Sequence, residues 1–163
     1  MFLDFLGDIA QELLLGRVWR RQAEKIDQQV ADDVALAVQK AHLGRLPKGV
    51  YCDQIIWSRE MTREQLCVPL TAQTLAQMAA CISVQRHEVV CRGLDAKLEY
   101  LGNHGTVTVE VSVVFDGETA DGRKVAVNVR KAMLMGSVER DRMHGWTLRE
   151  LRPIAVDGTL LAK

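Results

Sequence analysis

The chain has 163 residues, with 21 basic side chains against 21 acidic ones and a formal net charge of zero. Its 48% hydrophobic and 26% charged residues are the composition of a globular protein that can bury a core without staples. The charge balance argues against a dedicated nucleic-acid binder, which carries a basic excess, and it lowers the repulsion that keeps copies apart.

From Phe2 to Leu15, apolar residues at Phe2, Phe5, Leu6, Ile9, Leu13 and Leu14 recur at helical spacing. Gly7 and Gly16 weaken or bend that helix. A stronger helical stripe follows at Trp19, Ala23, Ile26, Val30, Val34, Ala37 and Ala41. Gly44 is its expected stop, with Pro47 just beyond. Whether the two stretches join into one rod is open at this level. Residues 48–61 read as an extended or irregular connection anchored by Tyr51, Ile55, Ile56 and Trp57. Thr62 and Gln65 have capping-box spacing, so a short helix starts there and Pro69 ends it. Thr71 then caps a helix with the face Leu75, Met78, Ala79 and Ile82.

After Ser83 the apolar period changes from 3.6 to 2. Val89, Cys91 and Gly93 alternate, and then Leu94, Ala96, Leu98 and Tyr100 do so with a slip of phase, which predicts a bulge or bend near Gly93. Residues 102–105 make a hairpin loop. Val107, Val109, Val111, Val113 and Phe115 share one strand face. The segment Asp116–Gly122 reads as the next hairpin loop. Val125, Val127 and Val129 resume the alternation, and Met133 and Met135 continue it. Gly136–Gly145 reads as a polar loop. Trp146 and Leu148 open a last strand limited by Pro153, and the tail after Asp157 reads as loose. The expected fold class is α+β: N-terminal helices (1–44) packed on a C-terminal curved, four-stranded antiparallel meander sheet (88–152), all in one domain spanning 1–163.

Helices followed by a long meander that closes on Gly145-Trp146-Thr147-Leu148 resemble the nuclear transport factor 2-like superfamily, the cystatin-like cone fold. The paired strands Thr106–Phe115 and Lys124–Met135 carry most of the resemblance, which covers the last 65 residues or so. It implies a curved sheet wrapped around helices, dimerisation through the open sheet face, and adaptor roles in transport or secretion machines. A hot-dog fold is the competing architecture.

No phosphate loop, H-E-x-x-H or G-x-S-x-G motif is present in the sequence. Counting by twos from Val125 puts Lys131 on the buried strand face, where a lysine anchors a ligand or acts as a base with a lowered pKa. A bulge near Arg130 that turns Lys131 outward is the plainer reading. Asp95 and Glu99 share one strand face with Lys97, so Asp95 is either a general base in a cone pocket or part of a solvated, alternating-charge face. His87 and Cys91 share a strand side but are too few to make a metal site, and neither a metal nor a cofactor is expected. Of the cysteines, Cys52, Cys67, Cys81 and Cys91, no two form a C-x-x-C. With Asp4 and Asp8 where a secretory segment would have a basic start, we expect reduced thiols in a cytoplasmic protein.

The leading expectation is therefore a non-catalytic protein-interaction or adaptor module. It would bind a protein partner or itself as a homodimer, through its sheet face or its N-terminal helix, with Phe2, Phe5, Ile9 and Trp19 as hydrophobic contacts. Arg17, Arg20 and Arg21 around Trp19 suggest a peripheral membrane contact, but Asp4, Asp8 and Glu12 would be repelled by anionic lipid. The first alternative is a small-molecule enzyme of the isomerase or dehydratase type, with Lys131 and Asp95 as catalytic candidates and Trp57 and Trp146 as pocket walls. The second is a hot-dog thioesterase-like protein, for which the helix after Thr71 offers only Gln73, Thr74 and Gln77.

Overall fold

The computed structural model describes residues 2–44, 55–57, 61–99, 101–141 and 145–160, with side chains placed for all of these except 2–15, 18–19, 55–57, 141 and 159–160. The two helical stretches are one helix, α1 (Phe2–His42). Gly16 lies inside it; one interior glycine costs about 1 kcal/mol and does not end a helix whose neighbours all favour it. The helix stops where expected: Gly44 takes φ +76°, and the Leu43 and Gly44 amides donate to the Gln39 and Ala41 carbonyls. No residue before Val30 with a described side chain is buried, whereas Val30, Ala31, Val34, Ala35, Ala37, Val38, Ala41 and His42 all are.

Next come a short strand β1 (Ile55–Trp57) and the helices α2 (Arg63–Leu66) and α3 (Ala72–Ala79). The Thr62 hydroxyl accepts from the Gln65 amide while the Gln65 side chain accepts from the Thr62 amide, so the capping box is formed. Thr71 caps α3 through the Thr74 amide. Leu75 and Met78 are the buried residues of that helix. Ile82, expected on the same face, instead lies in the following strand, 76% exposed.

The strands β2 (Cys81–Glu99), β3 (His104–Thr119), β4 (Lys124–Asp141) and β5 (Gly145–Val156) form the antiparallel meander, in that spatial order. They run longer than the sequence pattern indicates. The stretch 116–119 is strand, since Gly117 pairs with Val125 and Glu118 with Lys124. Residues 137–141 continue β4, and β5 passes through Pro153 to Val156. Polar residues here occupy paired positions on an open sheet, so composition alone misreads them as loop. Two further strands complete the sheet: β1 joins β5 in parallel, and β6 (Thr159–Leu160) folds back on β5. The turn into β6 is Asp157-Gly158, both at positive φ, as a two-residue hairpin turn requires.

The core lies between α1 and one face of this sheet. Val30, Val34 and Val38 are fully buried, as are Val107, Val109, Val111 and Val113 of β3 and Leu134, Leu148 and Val138 beyond it. Bulges bend the strands, and three of them lie in β2: after Cys81, after Val84 and after Gly93. The slip of phase near Gly93 is thus a bulge. Each bulge resets which side chains face the helix.

Candidate functional site

In β4 the reset decides the orientation of Lys131. Val113 pairs with Val129 but Val111 pairs with Ala132, so Arg130 and Lys131 face one residue of β3. After this bulge Ala132, Leu134 and Val138 take the core positions. Lys131 turns to the outer face, where its Nζ lies 3.5 Å from a Glu110 carboxylate oxygen that Arg92 approaches to 3.4 Å. The bulged amides are held from outside: Asp157 Oδ1 accepts from the backbone N–H of Arg130 at 2.8 Å and of Lys131 at 3.1 Å. The Asp157 amide in turn donates to the Lys131 carbonyl at 2.7 Å. Lys131 is solvated and ion-paired.

Asp95 is also exposed on the outer face, beside the Gly93 bulge. Its charge acts on Asp27 of α1: burial first, then Asp95 and Glu24, raise the Asp27 carboxyl above its usual range. Glu99 pairs with His104 at 2.9 Å on the surface. Trp146 is 2% exposed and belongs to the packed core between helix and sheet. Trp57 lies on β1 opposite Leu148, and Phe2, Phe5, Ile9 and Trp19 lie on α1; the side chains of these five residues, like all of Tyr51 and Cys52, lie outside the described residues. The structure does not bring Lys131 and Asp95 to a common cavity. A cleft of about 480 Å³ lies elsewhere, between α3 and the β3–β4 hairpin, lined by Thr74, Gln77, Asp121, Arg123 and Lys124. Its guanidinium is already engaged, with Arg123 Nε 3.0 Å from Asp121.

Two histidines that periodicity did not single out as a pair meet beneath β2. His42, in the last turn of α1, is fully buried, and neither ring nitrogen has a hydrogen-bond partner. Burial, then the nearby Arg63 guanidinium and His87, lower its pKa from 6.5 to about 4. His87 sits edge-on to Phe115 with ring centroids 5.1 Å apart, and burial, then Arg63, lower its pKa too. Arg63 is fixed there by donating from Nε to the Ala41 carbonyl at 3.1 Å. Burial also raises two neighbouring thiols, Cys67 to about 11 and Cys91 to about 12, so both are protonated and inert as nucleophiles at neutral pH. Among the described residues no group of three or more His, Cys, Asp or Glu is disposed to hold a metal ion. A histidine at helical spacing on an apolar stripe was the available signal for His42, since it follows Val34, Val38 and Ala41 on α1.

The most unusual surface is the edge of the sheet. β2 ends the strand order, so one side of its backbone has no strand partner among the described residues. At Gly93 α1 lies against the strand. A Cβ on Gly93 would lie 2.5 Å from the Ala31 carbonyl carbon, so helix and strand backbones touch there. Gln28 Nε2 donates to the Gly93 carbonyl at 3.2 Å. From Cys81 to Arg92 the strand instead exposes Ile82 (76%), Val84 (51%) and Val90 (65%). A long edge with exposed β-branched residues is what soluble proteins usually shield or charge.

No family model, curated protein or solved structure matches this chain. Among the described residues, no helix is long and apolar enough to cross a membrane.

Proposed function

We propose that this chain is a non-catalytic protein-interaction module that works by self-association, with its exposed sheet edge as the contact. The observation that carries this reading is the stretch of β2 from Cys81 to Arg92, an edge with no strand partner among the described residues and with three exposed apolar side chains. Unpaired strand backbone flanked by apolar side chains is a ready template for another strand. The net charge of zero supports the reading, because copies do not repel one another. So does the resemblance to the cone fold, whose domains often dimerise and serve as adaptors. The isomerase or dehydratase reading has less support: Lys131 and Asp95 lie exposed on the outer face, and Trp146 is core rather than pocket wall. A cytoplasmic setting remains part of the proposal on the sequence grounds given above.

The test is sedimentation over a concentration series of the full chain. Reversible association with a dissociation constant below roughly 100 μM is expected for a specific contact. A single monomeric species up to that concentration would remove self-association as the function.

A further inference from the structure

The exposed half of β2 has a sequence that fits itself. Around His87 the order is Val84-Gln85-Arg86-His87-Glu88-Val89-Val90. Reading outward from His87, Arg86 on one side answers Glu88 on the other. Both side chains are exposed, at 52% and 60%, and both stand on the outer face, since Arg86 pairs with Asp116 and Glu88 with Val114 of β3. Within one chain they meet at 2.9 Å, and the ion pair raises the Arg86 pKa and lowers that of Glu88.

Backbone direction selects the same centre. The Gly93 carbonyl accepts from the Gln28 side chain of α1, so it points away from β3. In an antiparallel ladder every second residue directs both N–H and C=O to the same side. The pairing with β3 is unbroken from Arg86 to Gly93, so stepping back by twos from Gly93 gives Cys91, Val89 and His87 as residues whose backbone groups face the open edge.

We infer that two copies of this chain join β2 to β2 in antiparallel register about a two-fold axis at His87, fusing their sheets. The inference rests on the reading of the chain as a self-associating module and specifies its contact. At the axis the two His87 backbones exchange a pair of N–H···O=C bonds. On either side Arg86 of one copy stands opposite Glu88 of the other, in the closely spaced type of antiparallel pair, where cross-strand side chains interact most strongly. The interface is isologous, so each charge pair occurs twice. Val90 of each copy falls beside the Val84 region of the other, where the bulge after Val84 ends the regular register. At Gly93 the Gln28 side chain of α1 already occupies the strand carbonyl and limits the paired length, as a closed dimer requires; an edge open along its whole length would invite indefinite addition.

Charge exchange tests this in the full chain. R86E sets glutamate against glutamate at both symmetric positions, and E88R sets arginine against arginine. Each is expected to weaken the dimer by roughly 100-fold or more in sedimentation. Mixing the R86E and E88R proteins recreates two complementary pairs and is expected to restore dimers, now hetero-dimers, as is the exchanged double variant R86E/E88R in a single chain. Thermal unfolding of each variant provides the folding control, since both positions are solvent-exposed in the monomer. Wild-type association that neither single variant weakens would overturn the β2 pairing while leaving the self-association reading intact. A wild-type chain that stays monomeric would overturn both.

Discussion

The two halves of β2 obey opposite rules within one strand. At Gly93 the strand is closed off: the backbone of α1 lies against it at Ala31, and a glutamine side chain occupies its carbonyl. From Cys81 to Arg92 no described element takes that place, and apolar side chains face water. Their difference shows that edge protection is a local decision. It depends on whether a residue small enough for helix contact stands where the helix crosses. Gly93 has no Cβ, and Ala31, Ala35 and Ala37 on the helix keep α1 thin.

Gly93→Val attacks the closed half directly. The nearest atoms to its new Cβ are helix backbone, which cannot rotate away. We expect a loss of more than about 3 kcal/mol in denaturant unfolding, the upper range for overpacking; a loss under about 1 kcal/mol would mean that the helix does not touch the strand there.

The open half also has a distinctive inner side, where His42 is buried and His87 half-buried. His42 has a folded pKa near 4 against 6.5 unfolded. The unfolded chain therefore binds more protons between these values, and stability is full above about pH 6.5 and falls as the pH drops towards 4. The expected loss from this residue is on the order of 2–3 kcal/mol, read as the pH dependence of the urea midpoint. His42→Leu removes two unpartnered nitrogens and should flatten that dependence while retaining or raising stability at pH 7. An equally steep profile in the variant would place the titrating group elsewhere.

Gln28→Ala uncaps the Gly93 carbonyl. About 1 kcal/mol should be lost, with amide exchange faster around Gly93 than around Val107. The smallest expected effect on stability comes from Val90→Lys, which puts a charge on the open half. Unfolding should shift by less than about 0.5 kcal/mol while self-association falls, because the side chain is exposed in the monomer and apposed only in the pair. Unchanged association would move the contact away from this half of β2.

Much of the architecture was legible in the residues. The change of apolar period near residue 84, the caps at Thr62 and Thr71, the stop at Gly44 and the bulge at Gly93 are all local signals with local physical causes, and the structure has them in those places. The strand ends were not legible, because paired polar residues such as Glu118 and Ser137 look like loop until a neighbouring strand is known. Asp157-Gly158 was a hairpin signal in plain view, and reading the tail as loose overlooked it. Lys131 shows the limit of counting by twos. The count holds to Val129 and then fails, because the Asp157 carboxylate captures the two amides at the bulge from 26 and 27 residues further along the chain.

Sequence alone determined where the main helices and the long strands run and which side chains have the apolar character of a core, because caps, glycines and hydrophobic periods act over a few residues. Tertiary structure decided what those segments face: that α1 is one helix lying against β2 at Gly93, that β1 joins β5 in parallel from far along the chain, and that one stretch of edge stays open among the described residues. Those outcomes depend on contacts between residues distant in sequence, whose geometry no local pattern encodes.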